Sequence, residues 1–286
     1  MNYKKLSLLD IKKFIFQKQL KRFPYLKNFK QNPYTYLKAR YYMYCSVLLV
    51  YFLLKTRITP NMVTVVYGLS GVIGGILLSV PNIYYNIAGI IIFFNKGILD
   101  WSDGHLARLK YSTTLKGHIL DSYGAYMNSI GFNIGLGFFV VNLTGYDYLI
   151  YPITTIAFLL SGLPTVLGKN IILDELKSNK LRNLMSKYNI LNYVNKNKYL
   201  SYKKNKYPKW IMIFKDVLDD RARSVDFILL IMIIDINFNF IFSLYIFLIL
   251  YIKNLFRFIL LFYNGVKSNW PEKILIDIKK TNYGKK

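Results

Sequence analysis

One cysteine in 286 residues, Cys45, leaves no partner for an intrachain disulfide and reads as an inert apolar residue. Acidic residues are scarce as well: 14 Asp and Glu stand against 39 Lys and Arg, a net charge of +25. No internal repeat is visible. A cleavable secretory signal is not expected, because Lys12, Lys13, Lys18, Lys21 and Arg22 interrupt the first apolar residues. The basic charge is spread over segments that flank apolar runs and forms no recognisable nucleic-acid-binding module, so nucleic acid is not the expected partner. Anionic phospholipid headgroups fit that distribution better.

Apolar content is high where charge is low. Hydrophobic residues make up 53% of the chain and aromatics 17%, beyond ordinary soluble usage. Since about 20 apolar residues cross a bilayer core, the uncharged run "MVTVVYGLSGVIGGILLSV" at 62–80 is a span. Others are expected at 84–108, 119–142, 148–168, 224–236 and 239–263. Residues 1–40 carry eleven Lys or Arg and 169–223 carry fourteen, whereas the connections at 81–83, 143–147 and 235–239 carry none. Positive loops stay in the cytoplasm. The expected fold is therefore an all-α integral membrane protein of six transmembrane helices with both termini cytoplasmic.

Ahead of the spans, 7–23 places Leu8, Ile11, Phe14 and Ile15 on one face, as in an interfacial amphipathic helix. "YYMYCSVLLVYFLL" at 41–54 is short and basic-flanked, which predicts a second surface helix; Thr59 or Asn61 would cap the helix entered at Pro60. The organisation expected is a basic N-terminal segment 1–40, a membrane domain 41–265 with a basic cytoplasmic insert at 170–222, and a basic tail 266–286. Trp210 and Trp270 would sit in interfacial belts.

The chemistry concentrates in "LDWSDGHLARLKYSTTLKGHILDSYGAYM" at 99–127. A carboxylate in a membrane is costly and marks a functional site by default. Asp100 and Asp103, three apart, share a helix face, and Asp121 returns on the next, antiparallel helix. Three carboxylates near the cytoplasmic end form an all-oxygen site that suits Mg²⁺ or Mn²⁺ better than zinc. Gly104 and Ala107 give a bulky ligand room, Gly117 clears the facing wall, and Arg108 offers a fork of donors to phosphate.

The pattern D-x2-D-G-x2-A-R-x8-G-x3-D formed by Asp100, Asp103, Gly104, Ala107, Arg108, Gly117 and Asp121 resembles the signature of the CDP-alcohol phosphotransferases. "ITPNMVT" at 58–64 is similar to the entry of their first span. The resemblance implies transfer of a substituted phosphate from a CDP-linked donor to an alcohol or lipid acceptor with release of CMP, in phospholipid biosynthesis. It implies metal ligation by Asp100, Asp103 and Asp121, and a CDP site shaped by Asp100, Gly104, Ala107, Arg108 and Gly117, with Asn61 and Thr64 at its edge. A homodimer is usual in that family, and the compact architecture suggests a bacterial inner membrane.

One position departs. The family continues x3-D after Asp121, an aspartate assigned as the base for the acceptor hydroxyl, and Ala125 stands there. Either the chain is a catalytically silent relative that still binds a CDP-linked ligand, or another group takes the proton. Lys96, one turn before Asp100, and His118, three residues before Asp121, are the candidates; His105 reads as a variable surface position. Lys253 and Arg257 on the last helix are candidates for binding an anionic acceptor. An aspartate-rich prenyltransferase, which also uses intramembrane carboxylates and Mg²⁺, does not require the interleaved Gly, Ala and Arg.

Overall fold

A computed structural model describes residues 6–23, 29, 33–157, 159 and 223–267. Among them every regular element is a helix, with no strand. The basic insert 170–222, Trp210, Trp270, the tail from 268 and most of the second half of the fourth expected span lie outside the described residues.

The first helix, α1 (Leu8–Arg22), starts at a capping box: the Ser7 hydroxyl accepts from the Asp10 amide while Asp10 accepts from the Ser7 amide. These Ser7 bonds hold the Asp10 carboxyl below the usual range. Ile11 and Ile15 are buried against Met43, Val47 and Val50, whereas Leu8, expected on the same face, is exposed. α1 is thus docked onto the protein by its apolar stripe.

The second helix corrects the sequence expectation. α2 (Pro33–Leu54) begins well before 41 and, at 22 residues, is long and apolar enough by length and composition to be a candidate span, where a helix too short to cross was expected. It also runs through residue 40, the expected segment boundary. Its basic flank is absorbed by partners: Lys38 Nζ lies 3.1 Å from Asp226 and donates to the Phe94 carbonyl at 2.9 Å. The Arg40 guanidinium covers the Phe16 and Tyr36 rings at 5.3 and 4.9 Å. Paired and covered in this way, basic residues that read from sequence as the flank of a shorter helix are compatible with the interior of a longer one.

α3 (Pro60–Ser79) begins at Thr59, whose hydroxyl accepts the Met62 amide at 3.3 Å, with Pro60 in the first turn. α4 (Ile83–Leu109) is capped by Asn82 and has 27 residues, about 40 Å at 1.5 Å per residue. α5 (Leu115–Thr144) is capped by Thr114 and ends at Gly145, whose φ of 70° a residue without Cβ adopts freely. A short turn at Asp147–Leu149 leads into a helical run from 150 to 157. Three helical segments, 33–54, 60–79 and 116–144, are long and apolar enough to cross a membrane. α4 is not among them. Its length is ample, but Lys96, Asp100, Asp103 and Arg108 interrupt its hydropathy.

α3 and α5 pack backbone to backbone. Gly71 and Gly75 face Gly131 and Gly135, and a Cβ on Gly131 would meet the Gly71 carbonyl. Two G-x3-G faces in register allow this approach. Asn128 Nδ2 fastens the pair by donating to the Tyr67 carbonyl at 2.7 Å. Outward, Val65, Leu69, Ile73 and Ile76 leave an apolar stripe exposed on α3, the surface a lipid-facing helix presents.

The last helices, α6 (Arg223–Phe238) and α7 (Phe242–Lys267), form a hairpin turning at Asn239, φ 53°. Asp235, fully buried, accepts the Phe242 and Ser243 amides at 3.1 and 2.7 Å. It caps α7 from the preceding helix, which accounts structurally for an acid in an apolar run. Asp235→Ala is expected to lower stability by about 1–2 kcal/mol, seen as a reduced thermal midpoint of the purified protein; an unchanged midpoint would refute the capping role. The main core joins Phe93 of α4, Phe132 and Leu136 of α5, Ile228 and Met232 of α6 and Phe247 of α7.

Candidate functional site

Three helix ends converge on one cavity. The first turns of α3 and α5 and the last turns of α4, with Ser112–Thr114 between α4 and α5, enclose about 240 Å³. α4 contributes Asp103, Gly104, Ala107 and Arg108; α5 contributes Gly117, His118 and Asp121; α3 contributes Asn61 and Thr64. Six of the motif's seven positions therefore share one polar concavity, open to the side on which Thr113 and Thr114 are exposed.

Each small residue has an identifiable neighbour. A Cβ on Gly104 would stand 3.2 Å from Arg108 Nη2, so this glycine makes room for the guanidinium as well as for a ligand. A Cβ on Gly117 would stand 3.2 Å from the Asn61 side-chain oxygen. Gly117 also gives its amide to Thr114 Oγ1 at 3.0 Å, closing the cap that starts α5. Thr64 is buried and donates to Asp103 Oδ2 at 2.6 Å. Its place, beside a carboxylate and not at the helix entry, distinguishes it from a cap; Thr59 takes the capping role.

Asp100 does not line the cavity. It lies one turn deeper on α4, in hydrogen-bonding contact with Asp121 and in the electrostatic field of Asp103 and Lys96. Two carboxyl groups in contact must share a proton or a cation, since both cannot carry bare charge so close. That contact and the all-oxygen donor set fit a hard divalent ion. As placed, however, no three His, Cys, Asp or Glu side chains among the described residues are grouped to hold one ion.

The candidate bases separate. His118 lines the cavity and is exposed. Lys96 is half-buried beside Asp100, outside the cavity lining. Ala125 is exposed and also lies outside it. Lys253 is half-buried on α7, next to Asn254, whose amide reaches Asn133 of α5 at 3.3 Å. The Arg257 side chain lies outside the described residues.

Two residues were missed by sequence reasoning. Tyr67, buried on α3, lies within electrostatic reach of all three carboxylates and packs over Gly124. Its position seven residues after Pro60, on the same face as Thr64, was the available signal. His105, read as a surface position, is fully buried. Its Nδ1 is 3.1 Å from Arg108 Nη2, and its Nε2 is 3.1 Å from the Gln19 amide of α1. No local pattern reveals a contact across 86 residues.

With Asp103, Asp121, the arginine and the two glycines in one cavity, the comparison with known families becomes specific. Residues 57–181 match the CDP-alcohol phosphatidyltransferase family. The resemblance drawn from the motif is thereby upheld. The matched stretch includes α3, α4 and α5, and so every residue that lines the cavity. α1, α2, α6 and α7 lie outside the CDP-alcohol phosphatidyltransferase match. No curated protein and no solved structure matches the chain.

Proposed function

We propose that the chain is a multi-pass membrane enzyme that transfers a substituted phosphate from a CDP-linked donor to an alcohol or lipid acceptor, in phospholipid synthesis. The family match and the apolar helices support membrane phosphotransferase chemistry. The observation that carries the reading is the single cavity uniting Asp103, Gly104, Ala107, Arg108, Gly117 and Asp121.

In the reaction, the acceptor oxygen attacks the donor phosphorus, a new P–O ester forms, the anhydride bond to CMP breaks, and the hydroxyl proton passes to a base. Arg108 binds the diphosphate with its planar fork, and Asn61 and Thr64 border the cytidine part. Asp100, Asp103 and Asp121 would hold Mg²⁺ or Mn²⁺, which when bound offsets the charge of the diphosphate. Lys96 or His118 receives the proton in place of the missing acid at Ala125; Lys253 and Arg257 attract an anionic acceptor. Six spans with both termini in the cytoplasm put the cavity on the cytoplasmic side, in a bacterial inner membrane. The chain divides into a basic segment 1–40, a membrane domain 41–265 with its insert 170–222, and a tail 266–286. Anionic phospholipids surround it, and a homodimer is the expected assembly.

Ala125 favours one second reading, a silent relative that retains the ligand site. Rates of CMP release by Lys96→Ala, His118→Ala and Ala125→Asp separate the two. The enzyme reading expects one of the first two to lose on the order of 10²–10⁴-fold and Ala125→Asp to keep or raise the rate. A protein that binds CDP but releases no CMP unless Ala125→Asp is introduced would be the silent relative.

A further inference from the structure

α1 lies outside the matched stretch, yet it reaches the motif arginine through one buried histidine. His105 is 0% exposed and Gln19 5% exposed. The order of bonds follows from what each group can do. Arginine only donates, so His105 Nδ1, 3.1 Å from Arg108 Nη2, is the acceptor. The imidazole proton then sits on Nε2, and the Gln19 side chain 3.1 Å away must turn its oxygen to it; amide orientation is settled by such partners.

Space around the guanidinium gives this chain of bonds a purpose. Arg108 borders the 240 Å³ cavity on one side and, on the other, a second cavity of about 480 Å³ between α1 and the end of α4, lined by Leu6, Phe14, Lys18 and Leu109. A long side chain between two open volumes has many rotamers, and ordering it on ligand binding costs affinity. The bond from His105, backed by Gln19, removes that freedom in advance.

We propose that Gln19 and His105 are positioning residues that make α1 part of the donor site by holding Arg108 toward the diphosphate. The inference rests on the reading of Arg108 as a diphosphate ligand. Its test is the affinity of the purified full-length protein for CDP and, separately, for cytidine, which has no phosphate. His105→Leu and Gln19→Leu are each expected to weaken CDP about tenfold, the scale of one hydrogen bond to a charged group, with cytidine unchanged. His105→Asn, whose oxygen replaces Nδ1 as acceptor but does not reach Gln19, is expected to restore part of the CDP affinity. Adding His105→Leu to Arg108→Ala is expected to weaken CDP no further than Arg108→Ala alone.

CDP affinity unchanged in both leucine variants, or equal losses for CDP and cytidine that Asn does not rescue, would overturn the proposal and leave the donor site standing. An Arg108→Ala protein that binds CDP as tightly as the wild type, or a wild type that does not bind it, would overturn the functional reading and this inference with it.

Discussion

Asp103→Asn is expected to lower CMP release on the order of 10²–10³-fold, the usual scale for removing one preorganised electrostatic group from a reaction centre. The substitution is close to isosteric, and the Thr64 hydroxyl that donates to Asp103 Oδ2 at 2.6 Å can donate equally to an amide oxygen. Shape and this bond persist while the charge goes. Asp103 also lines the cavity beside Gly104 and Asp121, so under the proposed function the lost charge is one that would act on the diphosphate or on its counter-ion. Fold and chemistry therefore separate: the thermal midpoint should stay near that of the wild type while the rate falls. Wild-type turnover by the variant would remove Asp103 from the reaction centre.

Gly131→Leu is expected to have the largest effect on stability, about 3 kcal/mol or more. A Cβ at this position would lie 2.8 Å from the Gly71 carbonyl carbon and closer still to its oxygen, and both belong to the α3 backbone. No side chain can swing aside, so α3 and α5 must separate. That would break the Asn128 bond to Tyr67 and open the cavity formed by the first turns of both helices. The control is Leu69→Ala on the exposed stripe of α3, where little packing is lost. A large drop in thermal midpoint for Gly131→Leu with little change for Leu69→Ala is the expected pair of results; equal midpoints would show that the glycine contact is dispensable.

The site was more legible in the sequence than the packing around it. Asp100 and Asp103 sit at i and i+3, Gly117 and Asp121 at i and i+4, and each helix has a side-chain cap, so local periodicity alone brings the motif to one end of α4 and α5. What stayed hidden depends on contacts between distant segments. His105 is a variable position within the motif and gives no local sign of burial until α1 folds back over it. The start of α2 at Pro33 was obscured because Arg40 reads as a basic flank that ends the apolar run, whereas Asp226, the Phe94 carbonyl and two aromatic rings take up Lys38 and Arg40 within the helix. The G-x3-G faces of α3 and α5 were written in the sequence but gain meaning only from each other.

The most direct measurement is CMP release by the purified protein in lipid nanodiscs, with Mg²⁺ or Mn²⁺, from CDP-diacylglycerol and from soluble CDP-alcohols paired with several acceptors. CMP is expected from at least one donor, dependent on both acceptor and ion and lost in Asp103→Asn. Tight binding of none of these donors, together with CMP formation from none of them, would contradict the proposed function.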